Sequence, residues 1–318
     1  MSQTARDGFG PDTTTDEVLE GIDLSGQLAL ITGASGGLGA ETARALASKG
    51  ARVVLTARDL QKGEAAAQTI REATAAEVQV EELELASLAS VRAFAERFLA
   101  KHEALHILVN NAGVMACPEA KTQDGFELQF GTNHLGHFTL TGLLAPALLR
   151  GAPARIVSVS SRGHQQSPVR FDDLAFEKEP YEKWVAYGQS KTANVLFAVE
   201  LERRLGERGV HANAIHPGVI ATDLSRHMQQ EDFEHIRKRA GGAMKLKSVE
   251  SGAATQVYAA TAPELDGRGG RYLEDCHVAE VNDDPEAREG VRSYAVDPEL
   301  AKRLWAVSEE LVGQSLPL

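Results

Sequence analysis

With 318 residues, 43% of them hydrophobic, and a formal net charge of −12, the chain can bury a full core, and its acidity argues against nucleic acid or an anionic membrane surface as partner. No run approaches the roughly 18 apolar residues of a membrane span, the N-terminal stretch with Asp7, Asp12 and Asp16 lacks the apolar centre of a signal peptide, and Cys117 and Cys276 give neither a disulfide framework nor metal-ligand spacing. These features predict a soluble, cytoplasmic protein that holds no metal.

Residues 1–24, rich in Thr, Asp and Gly, predict an irregular extension. Residues 28–32 are an apolar run that breaks at Gly33, Gly36, Gly37 and Gly39 and resumes as an Ala- and Leu-rich pattern over 41–49, which reads as strand, tight turn and helix. Such a turn cradles phosphate well, because glycine lets the backbone approach a ligand and the first N–H groups of the helix attract an anion. A plain strand-to-helix turn would use the same glycines. Residues 52–57 are a second strand, which makes a parallel βαβ unit and places any ligand at the carboxyl edge of the sheet. An acidic side chain at the end of this strand would accept from both ribose hydroxyls and select NAD, whereas a cation accommodates a 2′-phosphate. Arg58 stands there, which favours NADP(H), with NAD(H) as the alternative if Asp59 takes over at the ribose.

Residues 62–73 are helical in composition, a third strand ends at Glu84 and Leu85, and Ser87 caps a helix whose Leu88, Val91, Phe94, Ala95, Phe98 and Leu99 follow helical spacing. Residues 107–113 form a buried strand ending Asn110-Asn111-Ala112-Gly113, on the same edge as the glycine loop. A largely helical segment over 124–150 carries Asn133 and His134, and the strand 154–161 has Ser161 at its carboxyl end. Residues 162–182 are a connection long enough to roof a pocket, and His164, close behind Ser161, is a candidate pocket residue. Residues 183–205 make a long amphipathic helix carrying Tyr187 and Lys191. A sixth strand, 210–216, is stopped by Pro217-Gly218, and the charged stretch 219–246 is the candidate mobile substrate lid. Residues 248–260 are helical, 267–273 lead into a short final strand, and Asp297-Pro298 open a terminal helix with Leu300, Leu304, Val307 and Leu311 on one face.

Tyr187 and Lys191 are one helical turn apart and share a face. A phenol of pKa near 10 is a poor acid or base at neutral pH, and an ammonium within a few ångströms is expected to bring that value down. The pair then exchanges a proton with a carbonyl or alcohol oxygen. Ser161, at a neighbouring strand end, is placed to add a hydrogen bond to the same oxygen, and Asn133 to hold a water that connects Lys191 with bulk. Any one of these residues alone is unremarkable, but their order along one sheet edge is not.

The ordered set Thr32-Gly33-Ala34-Ser35-Gly36-Gly37-Leu38-Gly39, Asn110 to Gly113, Asn133-His134-Leu135-Gly136-His137, Val159-Ser160-Ser161, Tyr187-Gly188-Gln189-Ser190-Lys191 and Pro217-Gly218 resembles the short-chain dehydrogenase/reductase family, in the branch of the retinol dehydrogenases and their bacterial relatives. The resemblance covers about residues 25–280. It implies a three-layer α/β/α Rossmann fold with a mostly parallel, doubly wound, seven-stranded sheet, and so one dinucleotide-binding catalytic domain over 25–318, assembled as a homodimer or homotetramer. It implies hydride transfer at the nicotinamide, with Asn133, Ser161, Tyr187 and Lys191 as the catalytic set. Around the cofactor it implies Gly33, Ser35, Gly37, Leu38, Gly39, Arg58, Glu84, Leu85, Asn111, Ala112, Gly113, Pro217 and Gly218, with Lys191 also on the nicotinamide ribose and Thr222 reaching the carboxamide. Glu84 departs from the Asp that relatives usually carry beside adenine. No counterpart of the membrane anchor of many animal retinol dehydrogenases is expected, and a lipid-embedded retinoid is therefore not expected as substrate.

The expected reaction is therefore NADP(H)-dependent interconversion of a small carbonyl compound and its alcohol. Reduction of activated carbon-carbon double bonds on the same fold, and a non-catalytic NADP(H) sensor, are the alternatives. His134, His137, His164 and His216 have no acidic third ligand at useful spacing and read as structural rather than metal-binding.

Overall fold

The computed structural model describes residues 8–239, 246–316 and 318; residues 1–7 of the expected extension and 240–245 of the expected lid lie outside them. β1 (Leu28–Ile31) consists of four fully apolar, fully buried residues, as a central strand covered on both faces requires. Alternation sends Leu28 and Leu30 to one face and Ala29 and Ile31 to the other, and the core accordingly divides in two. The glycine turn leads into α2 (Gly37–Ala47) and back through β2 (Arg52–Ala57), α3 (Leu60–Thr74) and β3 (Val78–Glu82), each strand parallel to its neighbour. Ahead of them, residues 15–18 of the expected irregular stretch form a capped helical turn, α1 (Thr15–Val18), packed on α2 and on the later α9 (Val249–Thr261). Arg44 of α2 holds it through Asp16 at 2.7 Å.

The second half continues with α4 (Leu88–Lys101), β4 (Ile107–Asn110), the single turn α5 (Leu128–Phe130), α6 (Gly136–Arg150), β5 (Ala154–Val159), α7 (Lys183–Leu205), β6 (Val210–His216), α8 (Gln230–Arg239), α9, β7 (Tyr272–Glu274), β8 (His277–Val278) and α10 (Pro298–Val312). The predicted caps stand where they were read: Ser87 accepts from the Ser90 N–H, and Asp297 from Glu299 and Leu300 with Pro298 in the first turn. α4, α6, α7 and α10 cover one face of the sheet, and α2, α3 and α9 the other.

Among the described residues the sheet has eight strands in the order β3-β2-β1-β4-β5-β6-β7-β8, all parallel except the β7–β8 pair. The expectation of seven strands misses β8, a two-residue strand turned back through Asp275 and Cys276, both at positive φ; a turn without glycine gives no hairpin signal in the sequence. The helix expected to begin at residue 124 begins at Leu128. It contains one π-turn, Gly131–Leu135, around Asn133. The third strand stops at Glu82, before Glu84 and Leu85, which continue along the edge. Winding reverses between β1 and β4, and in such a sheet the crevice beyond the carboxyl ends at that reversal is where a ligand fits.

Candidate active site

A cleft of about 1470 Å³ opens at that reversal. Thr32, just beyond β1, is fully buried, and its hydroxyl oxygen accepts from the backbone N–H groups of Asn111 (2.9 Å) and Ala112 (3.0 Å). The two strand ends are thereby pulled so close that a Cβ on Gly33 would lie 2.7 Å from the Ala112 side chain. One on Gly39 would lie 2.6 Å from the Asn111 amide nitrogen. Gly36 starts α2 without any side-chain cap, so the first N–H groups of the helix face the cleft, a ready site for a phosphate. Ser35, Gly37 and Leu38 line the same wall, with Ala112 and Gly113 opposite. The Asn111 amide itself is spent on scaffolding: it donates to the Thr32 carbonyl at 2.8 Å and accepts from Gln256 at 3.2 Å.

At one end of the cleft stand Arg58, Asp59, Glu84 and Leu85. The Asp59 carboxylate accepts from the N–H groups of Gln61 (3.0 Å) and Lys62 (3.1 Å) as the N-cap of α3, so its charge is already committed. The Arg58 guanidinium is 61% exposed and lies 3.6 Å from Glu84, a loose surface pair that a stronger anion displaces at little cost.

The other end holds the expected catalytic group. Tyr187 and Lys191 are each 3% exposed, on α7, with Ser161 beside them at the end of β5 and all three on the cleft wall. Lys191 Nζ donates to the Val159 carbonyl at 2.9 Å and sits 5.7 Å from the centre of the Tyr187 ring. Burial pushes the Tyr187 phenol up to about 12, against the opposing hydrogen bond with Ser161, and brings the Lys191 ammonium down to about 7. This differs from the expectation that the lysine lowers the phenol: burial, opposed only by Ser161, sets the direction at Tyr187, and burial sets it at Lys191. Asn133 is fully buried. Its amide oxygen accepts from the Val114 N–H (2.8 Å), and its nitrogen donates to the Val114 carbonyl (2.9 Å) and to Ser190 (2.9 Å), so that it pins the chain after β4 to the catalytic helix. The side chain thus clamps backbone, and the helix opens into a π-turn around it, a deformation frequent at functional sites.

Residues 27–232 match the family model of the short chain dehydrogenases. The chain belongs to that family. It is 46% identical over 293 residues to retinol dehydrogenase 12 of Mus musculus, a match that covers 92% of this chain and 88% of the mouse protein. Among solved structures it is similar to an uncharacterized protein of Mycobacterium paratuberculosis, with 39% identity, TM-score 0.71 and coverage of 93% and 97% of the two chains. It is also similar to a short chain dehydrogenase of Burkholderia cenocepacia solved in complex with NADP, with 27% identity, TM-score 0.65 and coverage of 80% and 97%. This short-chain dehydrogenase is accordingly an NAD(P)-dependent oxidoreductase acting on CH–OH and C=O groups, with a Rossmann-type sheet.

The structure moves one expected substrate contact out of the dehydrogenase's cleft. His164 is wholly buried behind the wall, where Nδ1 donates to the Ser161 carbonyl (2.8 Å), Nε2 accepts from the Arg292 N–H (3.2 Å), and the ring packs on Tyr272; burial holds it neutral, down to about 4. Its proximity to Ser161 in sequence is real, but the 3₁₀ turn Arg162–Gln166 rotates it inward. Pro217, Gly218 and Thr222 do line the cleft, and the Thr222 methyl covers Gly37. Within the stretch expected as a lid, Ile220 bridges to Lys247, a 3₁₀ turn spans Asp223–His227, and α8 follows. Two contributors escaped the sequence reading: Trp184 and Met115 line the cleft beside Tyr187. His137, read as structural, has that place: it links Asn133 to the glycine loop by donating to the Asn133 carbonyl (3.0 Å) and meeting the Thr32 hydroxyl at 2.9 Å. Trp184 lies three residues before Tyr187, which puts the two on one helix face, so its role was legible in principle. Among the described residues no helix is long and apolar enough to cross a membrane, and no group of three or more His, Cys, Asp or Glu is arranged around a metal site.

Proposed function

We propose that this dehydrogenase reduces a carbonyl compound with NADP(H), Tyr187 giving its phenolic proton to the substrate oxygen. The observation that carries the reading is the placement of a buried phenol beside Ser161 on the wall of a cleft that is also lined by an exposed guanidinium, Arg58, only loosely paired with Glu84. The residues present fit the nucleotide: two glycines whose Cβ atoms would fill the cradle, an uncapped helix start for the pyrophosphate, and Arg58 for a 2′-phosphate with Asp59 engaged elsewhere. When bound, the nucleotide supplies the hydride. Tyr187 keeps its proton at neutral pH because its pKa is raised, so it is set as donor, the role that reduction demands. Ser161 donates a second hydrogen bond that fixes the same oxygen, and Lys191 restores the proton, its own affinity for one lying near neutrality. Asn133 keeps the Val114 backbone against α7 and so holds the floor of the site.

A Tyr187→Phe variant tests this. NADPH should still bind, because the ring and its packing on Trp184 stay, while turnover of aldehydes and ketones, followed by loss of NADPH absorbance, should fall by roughly 10²–10⁴-fold. Turnover within a few-fold of the parent enzyme would reject Tyr187 as proton donor.

A further inference from the structure

α8 is a polar helix, with Phe233 half exposed and Ile236 its partly buried apolar contact. So little apolar surface cannot by itself hold it over the cleft. One carboxylate does hold it. Asp232, only 2% exposed, receives the Lys183 ammonium at 2.6 Å, the Trp184 indole N–H at 3.0 Å and the Gln229 N–H at 2.8 Å. Lys183 and Trp184 are the first two residues of α7, and Trp184 meets the Tyr187 ring edge to face at 6.2 Å. Met115, Met228 and Ile236 close around the same rings.

We propose that Asp232 is a positioning residue: it ties α8 to the start of the catalytic helix and fixes the Trp184 ring as a wall of the substrate end, so that the site selects carbonyl compounds whose apolar substituent lies along Trp184, Met115 and Ile236. The inference rests on the carbonyl-reductase reading of the cleft. Charge-assisted hydrogen bonds are the strong ones, and a buried carboxylate satisfied by three donors holds all three in a single arrangement. With the indole N–H fixed, the ring has one rotamer available, and the space between it and Ile236 is set. Trp184, Met115 and Ile236 all line the cleft, and they are the apolar lining residues packed around Tyr187 in one cluster.

The test uses the full chain in a Trp305→Phe background, which removes the other of two tryptophans and an indole N–H that has no hydrogen-bond partner among the described residues. Trp184 is then the sole indole reporter. Asp232→Ala should shift its emission to the red and make it more accessible to acrylamide, raise KM for an aromatic aldehyde about tenfold with kcat changed less, and leave the NADPH dissociation constant within about twofold. KM for a small aliphatic aldehyde should change little, so discrimination between the two collapses. Asp232→Asn, which still accepts from the indole, should restore most of the emission, and Lys183→Met, which leaves Asp232 in place, should give a smaller KM rise if the alanine variant proves unstable. Unchanged emission with unchanged KM overturns the proposal, as does an emission shift with discrimination intact. If no carbonyl compound is turned over by the parent enzyme, the functional reading fails, and the emission alone then decides whether Asp232 fixes Trp184.

Discussion

Arg58→Ala separates the two nicotinamide cofactors most directly. The guanidinium sits at the cleft, 61% exposed and 3.6 Å from Glu84. Opposite a phosphate of charge about −2 at a contact distance near 4 Å, a unit charge gains ~2 kcal/mol in a medium close to water and several times that in a dry one. The exposure places Arg58 near the wet limit. To this is added the surface pair with Glu84, worth at most ~1 kcal/mol, whose loss lets a carboxylate lie unneutralised near the same phosphate. The two effects act together, so the variant should lose roughly 2–3 kcal/mol, about 30- to 150-fold in kcat/KM for NADPH. For NADH, which lacks the 2′-phosphate, little change is expected, because Asp59 remains the cap of α3 and does not turn to the ribose. Steady-state rates with both cofactors at fixed substrate and low ionic strength measure this, and the NADPH penalty should shrink as salt is raised. If NADPH and NADH lose equally, or NADPH loses less than threefold, the assignment of Arg58 to the phosphate is wrong.

Two further outcomes follow from packing and from charge. Gly39→Ala adds a Cβ 2.6 Å from the Asn111 amide nitrogen, 2.7 Å from the Gly33 carbonyl and 2.9 Å from Ala34 Cα; with backbone on two sides the loop must open, so we expect a drop in thermal midpoint together with loss of the stabilisation that NADPH gives the parent enzyme, both read in one melting series with and without cofactor. His137 and His164 are held neutral by burial, each with its pKa brought from 6.5 down to about 4. An unfolded histidine takes up its proton near pH 6.5 and the folded one only near pH 4, so the stability these groups contribute is complete above pH 6.5 and is lost as pH falls toward 4, by about 3 kcal/mol each. Urea titrations at steps of pH should therefore show stability falling well before the carboxylate range, and a level profile down to pH 4.5 would refute the burial of these rings.

Local pattern was sufficient for much of the fold. The α7 helix and the β2 and β6 strands lie where composition put them, residues 183–205, 52–57 and 210–216; α7 ends before Gly206 and β6 lies between Gly209 and Pro217, so local breakers mark their limits. Almost every residue of α7 from 184 to 201 is buried, so the helix is covered all round rather than on the one face expected of an amphipathic helix. The elements that went astray have weak local signals. β8 is two residues long, and α1 is one turn that owes its existence to a cap and to packing on α9. α8 forms in a charged stretch that reads only as a candidate lid, without a helix, and the Asp232 contacts that hold it come from residues 48 and 49 positions away.

The sequence by itself determined the framework of the cleft: glycines before a helix, small and amide residues at a strand end, and a tyrosine and lysine one turn apart come to one edge of a parallel, doubly wound sheet. Their chemistry there was decided by tertiary structure. Spacing says that Tyr187 and Lys191 are close, but only the packed molecule says that both are stripped of water, and desolvation, which depends on every neighbour at once, reverses the direction in which a simple pair would shift. His164 makes the same point in space: three residues from Ser161 along the chain, it ends on the far side of the wall, because a single 3₁₀ turn decides which way a side chain points.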